Sequence, residues 1–253
     1  MTTTSDPSTP EALAKAEWQV RTELAAAYRL VALFGWDDLV FTHLSARVPG
    51  PEHHFLINPY GLLFHEITAS SLVKVDKEGQ VVQSGGVSRV NPAGFTIHSA
   101  VHMGREDAGA VMHLHAPDGV AVSAHRDGLL PLSQTAMLCL NHLSYHDYEG
   151  VALNLDERER LIRDLGDKSM MLLRNHGVLT AGQDVPETFT YLYFLMKACE
   201  IQVKAQSCGP THRPSEQAIQ TTADQSQSLG RASALTWPAL VRLLDSKNPG
   251  YAV

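Results

Sequence analysis

The chain of 253 residues has few cysteines, no excess of positive charge and no long apolar run. Its three cysteines form no C-x-x-C pair, so neither a disulfide framework nor a thiolate metal site is supported. The balance of 20 basic against 27 acidic residues gives a net charge of −7, which disfavours binding to a phosphate backbone. No apolar run approaches membrane-spanning length, and the N-terminus lacks the order of a signal peptide. We therefore expect a cytoplasmic protein that binds neither nucleic acid nor membrane.

The residues that are present indicate one α/β domain. With 44% hydrophobic and 19% charged residues, the chain is long enough to bury one sizeable core. Helical periodicity covers Glu11 to Phe34 and runs from Asp184 to about Cys208, whereas Ala110 to Leu114 is a buried-type strand. The predicted organisation is a disordered tail over 1–10, a domain over 11–208, a polar linker over 209–230, and a C-terminal helix and tail over 231–253.

Histidine is abundant, with 13 residues, and three of them form a candidate metal site. His113 and His115 alternate along a strand, so their side chains lie on one face about 6 to 7 Å apart. Catalytic zinc sites use three protein ligands and keep one position open, so a third histidine is expected. His176 is the best candidate, because it follows an apolar run and precedes Gly177. The pattern predicts one divalent ion on these residues, most simply zinc, with manganese or iron as alternatives.

Two further histidines have a spacing that can also bind metal. His98 and His102 lie at positions i and i+4 of a predicted helix and therefore share one face. The H-E-x-x-H context of helical zinc sites is missing around them. We expect both to pack against the sheet.

Several segments resemble landmarks of one family. Val111 to Pro117, Arg174 to Gly177 and Leu39 to Arg47 look like the H-x-H, N-H-G and G-N-x-S-x-R motifs of the class II aldolase/adducin family. Four more segments bring it closest to the adducin head branch: Glu66–Val75, Asn91–Phe95, Tyr145–Tyr148 and Ala198–Val203. The resemblance implies an α/β fold, a three-layer αβα sandwich around a mixed, largely antiparallel sheet. It also implies a homotetramer with sites between subunits, and the three histidines as metal ligands.

One departure from the sugar-phosphate aldolases concerns a Ser-Ser-Glu that precedes their H-x-H. Counted back from His113 through His98, these positions hold Pro92, Ala93 and Gly94. In the aldolases the serines bind phosphate and the glutamate moves protons. The resemblance thus implies that this chain has lost both functions at these positions.

A second departure affects two other phosphate-binding pairs. The G-N pair reads Thr42-His43 here, and a Thr-Gly pair reads Tyr60-Gly61. We therefore expect an unphosphorylated substrate, larger or aromatic, that carries a carboxylate or carbonyl group. With a reference pKa of about 6.5, a histidine suits proton transfer, and Tyr60 is a second candidate. The predicted catalytic residues are His43 and Tyr60, and the predicted substrate-binding residues are Thr42, Gly61 and Gly94.

Four functions are compatible with these residues. The first is a metal-dependent carbon–carbon lyase of aldolase type that acts on a small unphosphorylated oxo- or hydroxy-acid. A metal-dependent decarboxylase stabilises the same developing charge and needs no base to start it, which suits Gly94. An iron-dependent oxygenase is known among relatives, and the adducin heads, which lack the glutamate, suggest a non-catalytic interaction domain. We expect an enzyme, because the histidine triad is intact.

Overall fold

A computed structural model describes residues 9–86, 89–150 and 156–253, and only the backbone of 92–95. Its centre is an eight-stranded sheet in the order β4-β3-β2-β1-β5-β8-β7-β6. Only the β6–β7 pair is parallel, and the other neighbouring strands are antiparallel. The strands are β1 His43–Arg47, β2 Phe55–Ile57, β3 Val73–Val75, β4 Val81–Gln83, β5 Ala110–Leu114, β6 Leu143–His146, β7 Met170–Leu173 and β8 Gly177–Gly182.

Helices cover both faces of this sheet. They are α1 Pro10–Leu33, α2 Pro92–Gly104, α3 Pro117–Ala124, α4 Gln134–Cys139, α5 Glu157–Leu165, α6 Val185–Ser207, α7 Glu216–Asp224 and α8 Ser233–Lys247. On one side, which we call the α6 face, Met112 and Leu114 pack with α1, α3, α4, α6 and α8. On the other, the α2 face, Val111 packs with α2 and α5. This is the three-layer αβα sandwich expected from the sequence, and its sheet is mixed and largely antiparallel.

The two longest helices begin at caps that the sequence encodes. Thr9 caps α1, because its Oγ1 accepts a hydrogen bond from Ala12 N at 3.3 Å. Asp184 caps α6 in the same way, with Glu187 N donating to its Oδ1 at 2.8 Å. Glu187 in turn accepts from Gln183 N at 2.7 Å. Both helices begin within one residue of the predicted positions.

The segment 209–230 was predicted as a polar linker without secondary structure, and the structure shows helices within it. It contains α7 and the beginning of a 3-10 helix over Gln225–Ala232. Ser215 caps α7 by accepting from Ala218 N, and Ile219 and Ala223 are buried on the side that packs against α4. Two apolar residues at i and i+4 are a weak periodic signal, which the polar composition concealed.

The chain ends are partly described. Residues 1–8 of the predicted tail lie outside the described residues, whereas Pro10 already belongs to α1. The C-terminal segment contains the predicted helix, α8, and its tail then docks on the loop before β3, where Ala69 N donates to Tyr251 O at 2.7 Å. In the described ranges, no helix combines the length and hydropathy that crossing a bilayer requires.

Candidate metal centre

Strand register gathers the candidate residues at one edge of the sheet. His43 of β1 lies opposite His113 of β5, so both side chains point to the α2 face. On the other side of β5, Leu114 pairs with Val178 of β8, which places the turn before β8 beside the end of β5. One strand, β5, and the turn before β8 therefore supply the three predicted metal ligands, and β1 places His43 next to them.

The three predicted ligands form a compact triangle. The Nε2 atoms of His113 and His115 are 3.1 Å apart, and the ligand atoms of these residues and His176 lie within 4.8 Å of one another. The ring centroids are separated by 4.7 Å for His113–His176 and by 4.8 Å for the other two pairs. Tetrahedral zinc with nitrogen ligands at about 2.0–2.1 Å separates them by about 3.3 Å. The spacing of the triangle therefore suits one ion.

The turn that carries His176 depends on its neighbours. Asn175 has φ +57°, a left-handed conformation that asparagine tolerates better than most residues. At Gly177 a Cβ would lie 2.3 Å from Leu114 O and 3.3 Å from the His115 ring. Arg174 steadies the start of the turn by stacking over Tyr145 at 4.4 Å. The N-H-G motif is thus the backbone requirement for bringing His176 against β5.

Hydrogen bonding determines which nitrogen His113 presents. Its Nδ1 lies 2.9 Å from Val178 O, and a carbonyl oxygen only accepts, so Nδ1 carries the proton and Nε2 carries a lone pair. Burial lowers the pKa of His113 well below its usual range, and the neighbouring His176 and His115 lower it further. Burial and His115 likewise lower the pKa of His176 to about 4. Neutral rings with converging lone pairs are suited to a divalent cation.

Thr42 and His43 are buried polar residues at the start of β1, and His43 lies opposite the ligand His113. Each is 3% exposed, and within the described residues neither Thr42 Oγ1 nor either ring nitrogen of His43 has a hydrogen-bond partner. Burial, and secondarily His115, lower the pKa of His43 to about 4. The buried Tyr28 hydroxyl holds the start of β1, since Leu44 N donates to it at 2.8 Å. Buried polar atoms without partners cost stability unless a ligand or water satisfies them.

The positions of Tyr60, Gly61 and Gly94 relative to the triad are less closely defined than that of His43. Tyr60 and Gly61 follow β2 at the same edge of the sheet, because Ile57 pairs with Ser45 of β1. The described ring contact of Tyr60 is with the Arg89 guanidinium at 5.8 Å rather than with the triad. Gly61 is exposed and has φ +112°. Gly94 lies in α2 among residues 92–95, whose surroundings fall outside the description.

Two residues near the triad were missed by sequence reasoning. Asp38 Oδ2 lies 3.2 Å from His115 Nδ1, although 77 residues separate them in the chain. Tyr148 is 55% exposed and its ring makes an edge contact with His176 at 6.3 Å. Tyr148 belongs to a segment already noted as family-like, whereas no sequence signal singles out Asp38.

Comparisons with known proteins identify the family of this chain. Residues 22–203 match the family model of the class II aldolase and adducin N-terminal domain. A Caulobacter vibrioides protein named after the class 2 aldolases, without a substrate, is 56% identical over 243 residues, which is 95% of this chain and 94% of that protein. Alpha-adducin of Rattus norvegicus is 48% identical over 200 residues, 78% of this chain but 27% of adducin.

A solved structure extends the likeness to a named enzyme. The L-fuculose 1-phosphate aldolase of Glaciozyma antarctica superposes with a TM-score of 0.82 at 28% identity, covering 97% of each chain. Two of the motifs that suggested the family, the H-x-H and the N-H-G, contain the three residues of the triad. By its family match and by these relatives, the chain belongs to the class II aldolase and adducin N-terminal domain family.

Proposed function

We propose that this protein is a metal-dependent carbon–carbon lyase of aldolase type whose substrate is a small unphosphorylated oxo- or hydroxy-acid. The observation that carries the proposal is the pair of His113 and His115 Nε2 atoms, 3.1 Å apart and joined by His176 within 4.8 Å. Three neutral imidazoles leave the charge of a divalent ion intact and one coordination position free for substrate. Family membership supports the lyase class.

The ion would be held by the three histidines, and zinc is the metal we propose. It supplies positive charge that stabilises the negative charge developing when a bond next to a carbonyl breaks. The chain's own residues orient the ligands: Val178 O fixes the ring of His113, and the Asn175–Gly177 turn sets His176 against β5. By analogy with its family, we propose that the active assembly is a homotetramer.

We propose that His43 and Tyr60 transfer protons and that Thr42, Gly61 and Gly94 contact substrate. His43 supports this role because it is neutral, buried, and has two ring nitrogens with no described partner. A neutral imidazole has one lone pair that can accept a proton and one N–H that can donate one. Gly94, which replaces a carboxylate of the related aldolases, would leave room for the carboxylate of the substrate.

The missing phosphate-binding residues support an unphosphorylated substrate. Pro92 and Ala93 provide no hydroxyl, and Tyr60 places a bulky ring where the related aldolases have a threonine. The Glaciozyma antarctica relative is named for a sugar phosphate, which makes that compound the most informative competitor to test.

A second candidate is a non-catalytic interaction domain. The 48% identity to alpha-adducin over 78% of this chain favours it. Such a domain could retain the ion as a structural element. Turnover, rather than metal binding, therefore distinguishes the two functions.

The experiment begins with removal of all metal by a chelator and reloading with zinc, manganese or iron(II). Each form is then incubated with 4-hydroxy-2-oxo acids, oxaloacetate, fuculose 1-phosphate and fuculose, with carbon–carbon cleavage followed by NMR. We expect cleavage of an unphosphorylated acid that requires the ion and is absent in His113→Ala. Binding of the sugar phosphate should be no tighter than millimolar by calorimetry.

Three results would contradict parts of the proposal. Efficient cleavage of fuculose 1-phosphate would retain the lyase and refute the substrate class. Release of carbon dioxide without aldehyde would indicate a decarboxylase. One bound ion per chain with no turnover of any compound would favour the adducin-like domain.

A further inference from the structure

The loop between α1 and β1 delivers a carboxylate to one of the metal ligands. Asp38 Oδ2 lies 3.2 Å from His115 Nδ1, and the Asp38 side chain is 42% exposed while that of His115 is 30% exposed. In the described structure, the corresponding nitrogen of His113 faces a neutral carbonyl, Val178 O. His115 therefore has an anionic partner where His113 has an uncharged one.

The loop holds Asp38 on both sides. Upstream, Trp36 is 3% exposed and its Nε1 donates to Glu200 Oε1 of α6 at 2.9 Å. Downstream, Phe41 N donates to Asp38 O at 2.8 Å, closing a turn in which Leu39 has φ +52°. A left-handed leucine is uncommon and persists only where surrounding contacts maintain it. The carboxylate is thus supported by the fold, even though it is half-exposed.

The hydrogen bond selects one tautomer of His115. An ionised carboxylate only accepts, so the proton lies on Nδ1 and the lone pair on Nε2. That Nε2 faces the Nε2 of His113 at 3.1 Å, and the Val178 carbonyl gives His113 the same tautomer. Without a partner at Nδ1, His115 would also populate the other tautomer, whose Nε2–H points where an ion must bind.

We propose that Asp38 is a positioning residue of the metal centre, which holds His115 in the Nε2-ligating tautomer and orientation. This inference rests on the proposed metal function. Partners of metal-bound histidines typically contribute about ten- to hundredfold to metal affinity, because they orient the ring and raise its basicity.

The test compares Asp38→Ala, Asp38→Asn and Asp37→Ala with the wild type. Zinc affinity is measured by competition with a chromophoric chelator, and the His115 tautomer by long-range ¹⁵N–¹H NMR of the metal-free protein. We expect Asp38→Ala to bind zinc at least about tenfold more weakly and to lose the preference for Nδ1–H at His115. Asp38→Asn, which keeps an acceptor oxygen, should restore much of both properties.

Asp37→Ala is the matched control, since it removes the same charge one residue away. Because water and salt screen the charge of the partly exposed Asp37, the zinc affinity of this variant should stay within about twofold of wild type. Equal losses in Asp37→Ala and Asp38→Ala would overturn the proposal, as would a wild-type affinity and tautomer in Asp38→Ala. If the wild type bound no zinc, the proposed function would fail, whereas the NMR of the metal-free protein would still decide whether Asp38 sets the tautomer.

Discussion

Two groups of histidines lie on the same α2 face of the sheet and differ in what their nitrogens contact. In the triad, His113 and His115 turn Nε2 atoms towards each other at 3.1 Å. In the second group, His98 and His102 of α2 both contact one hydroxyl, that of Ser45, at 2.6 and 2.8 Å. The first arrangement leaves lone pairs converging on a space, and the second pairs them within the protein.

The hydrogen bonds of the second group follow one direction. Ala108 O, 2.9 Å from His102 Nδ1, only accepts, so that nitrogen donates. Neutral His102 then accepts from the Ser45 hydroxyl through Nε2, and Ser45 accepts from His98 Nδ1. Both residues are 2% exposed, and three of their four ring nitrogens have a described hydrogen-bond partner, the exception being His98 Nε2. The expectation that these two residues pack against the sheet is confirmed.

The comparison teaches that spacing alone does not make a histidine a ligand. Both H-x-H on a strand and His at i and i+4 on a helix bring two rings to one face. His98 and His102 instead form hydrogen bonds with the hydroxyl of Ser45, which belongs to β1 of the sheet. Among the described residues no hydroxyl is hydrogen-bonded to the triad, and the outward nitrogens of His113 and His115 are held by Val178 O and Asp38 instead.

The largest expected effect comes from removing one member of the triad. His113→Ala should lower zinc affinity at least about a thousandfold, about 4 kcal/mol, because two imidazoles hold the ion far less well than three. Wild type should carry about one ion per chain by elemental analysis. As the matched control, His102→Leu should keep stoichiometric zinc. Zinc retained in His113→Ala but lost in His102→Leu would reverse the comparison.

A smaller effect is expected when the triad is disturbed without touching a ligand. Gly177→Ala would place a Cβ 2.3 Å from Leu114 O, so β5 and the turn before β8 must separate. Overpacking of this kind costs about 1–3 kcal/mol of stability, and zinc affinity should fall by about tenfold as His115 and His176 move apart. Thermal unfolding and chelator competition measure the two quantities.

Gly109→Ala is the control for that variant. Its Cβ would lie 1.9 Å from Gln183 O, at the end of the β5–β8 pair opposite the triad. It should therefore lower stability and leave zinc affinity unchanged. A loss of affinity as large as that of Gly177→Ala would mean that general destabilisation, not ligand geometry, weakens the site.

The smallest effect concerns the pH dependence of the second group. Burial lowers the pKa of His102 to about 3, whereas an unfolded histidine titrates near about 6.5. Between these values the unfolded chain binds one more proton than the folded one, so this residue reduces stability as the pH falls. His102→Leu should remove about 1.4 kcal/mol per pH unit from the slope of unfolding free energy against pH.

Denaturant unfolding of the metal-free protein at several pH values between about 6 and 4 measures this slope. Phe55→Leu is the control, because it removes the ring stacked on His102 at 4.6 Å but keeps the titrating group. It should lower stability at every pH and preserve the slope. An unchanged slope in His102→Leu would show that this histidine is protonated in the folded protein.

Local sequence alone predicted the main elements and the group of three histidines that the structure brings together. Caps at Thr9 and Asp184 start α1 and α6 near their predicted positions, and alternation along Ala110–Leu114 places His113 and His115 on one face. These features depend on residues a few positions apart, whose geometry is set by backbone conformation. His176 was predicted from the apolar run before it and from Gly177 after it, and the family resemblance supported the choice.

Local patterns failed where the signal was short or mixed. Strands β6 and β8 were not predicted: β6 has buried residues only at its two ends, and β8 begins and ends with glycine. The helix within the predicted linker rests on two buried residues, Ile219 and Ala223. In each case, packing against neighbouring elements stabilises a backbone that its own residues favour weakly.

Only the tertiary structure decided which nitrogen each histidine presents. The partners of His113 and His115 are Val178 O and Asp38, 65 and 77 residues distant in the chain. Ser45 reaches His98 and His102 from 53 and 57 residues away. Tautomer and charge depend on an atom within hydrogen-bond reach, and strand register and loop closure, not spacing along the chain, set that distance.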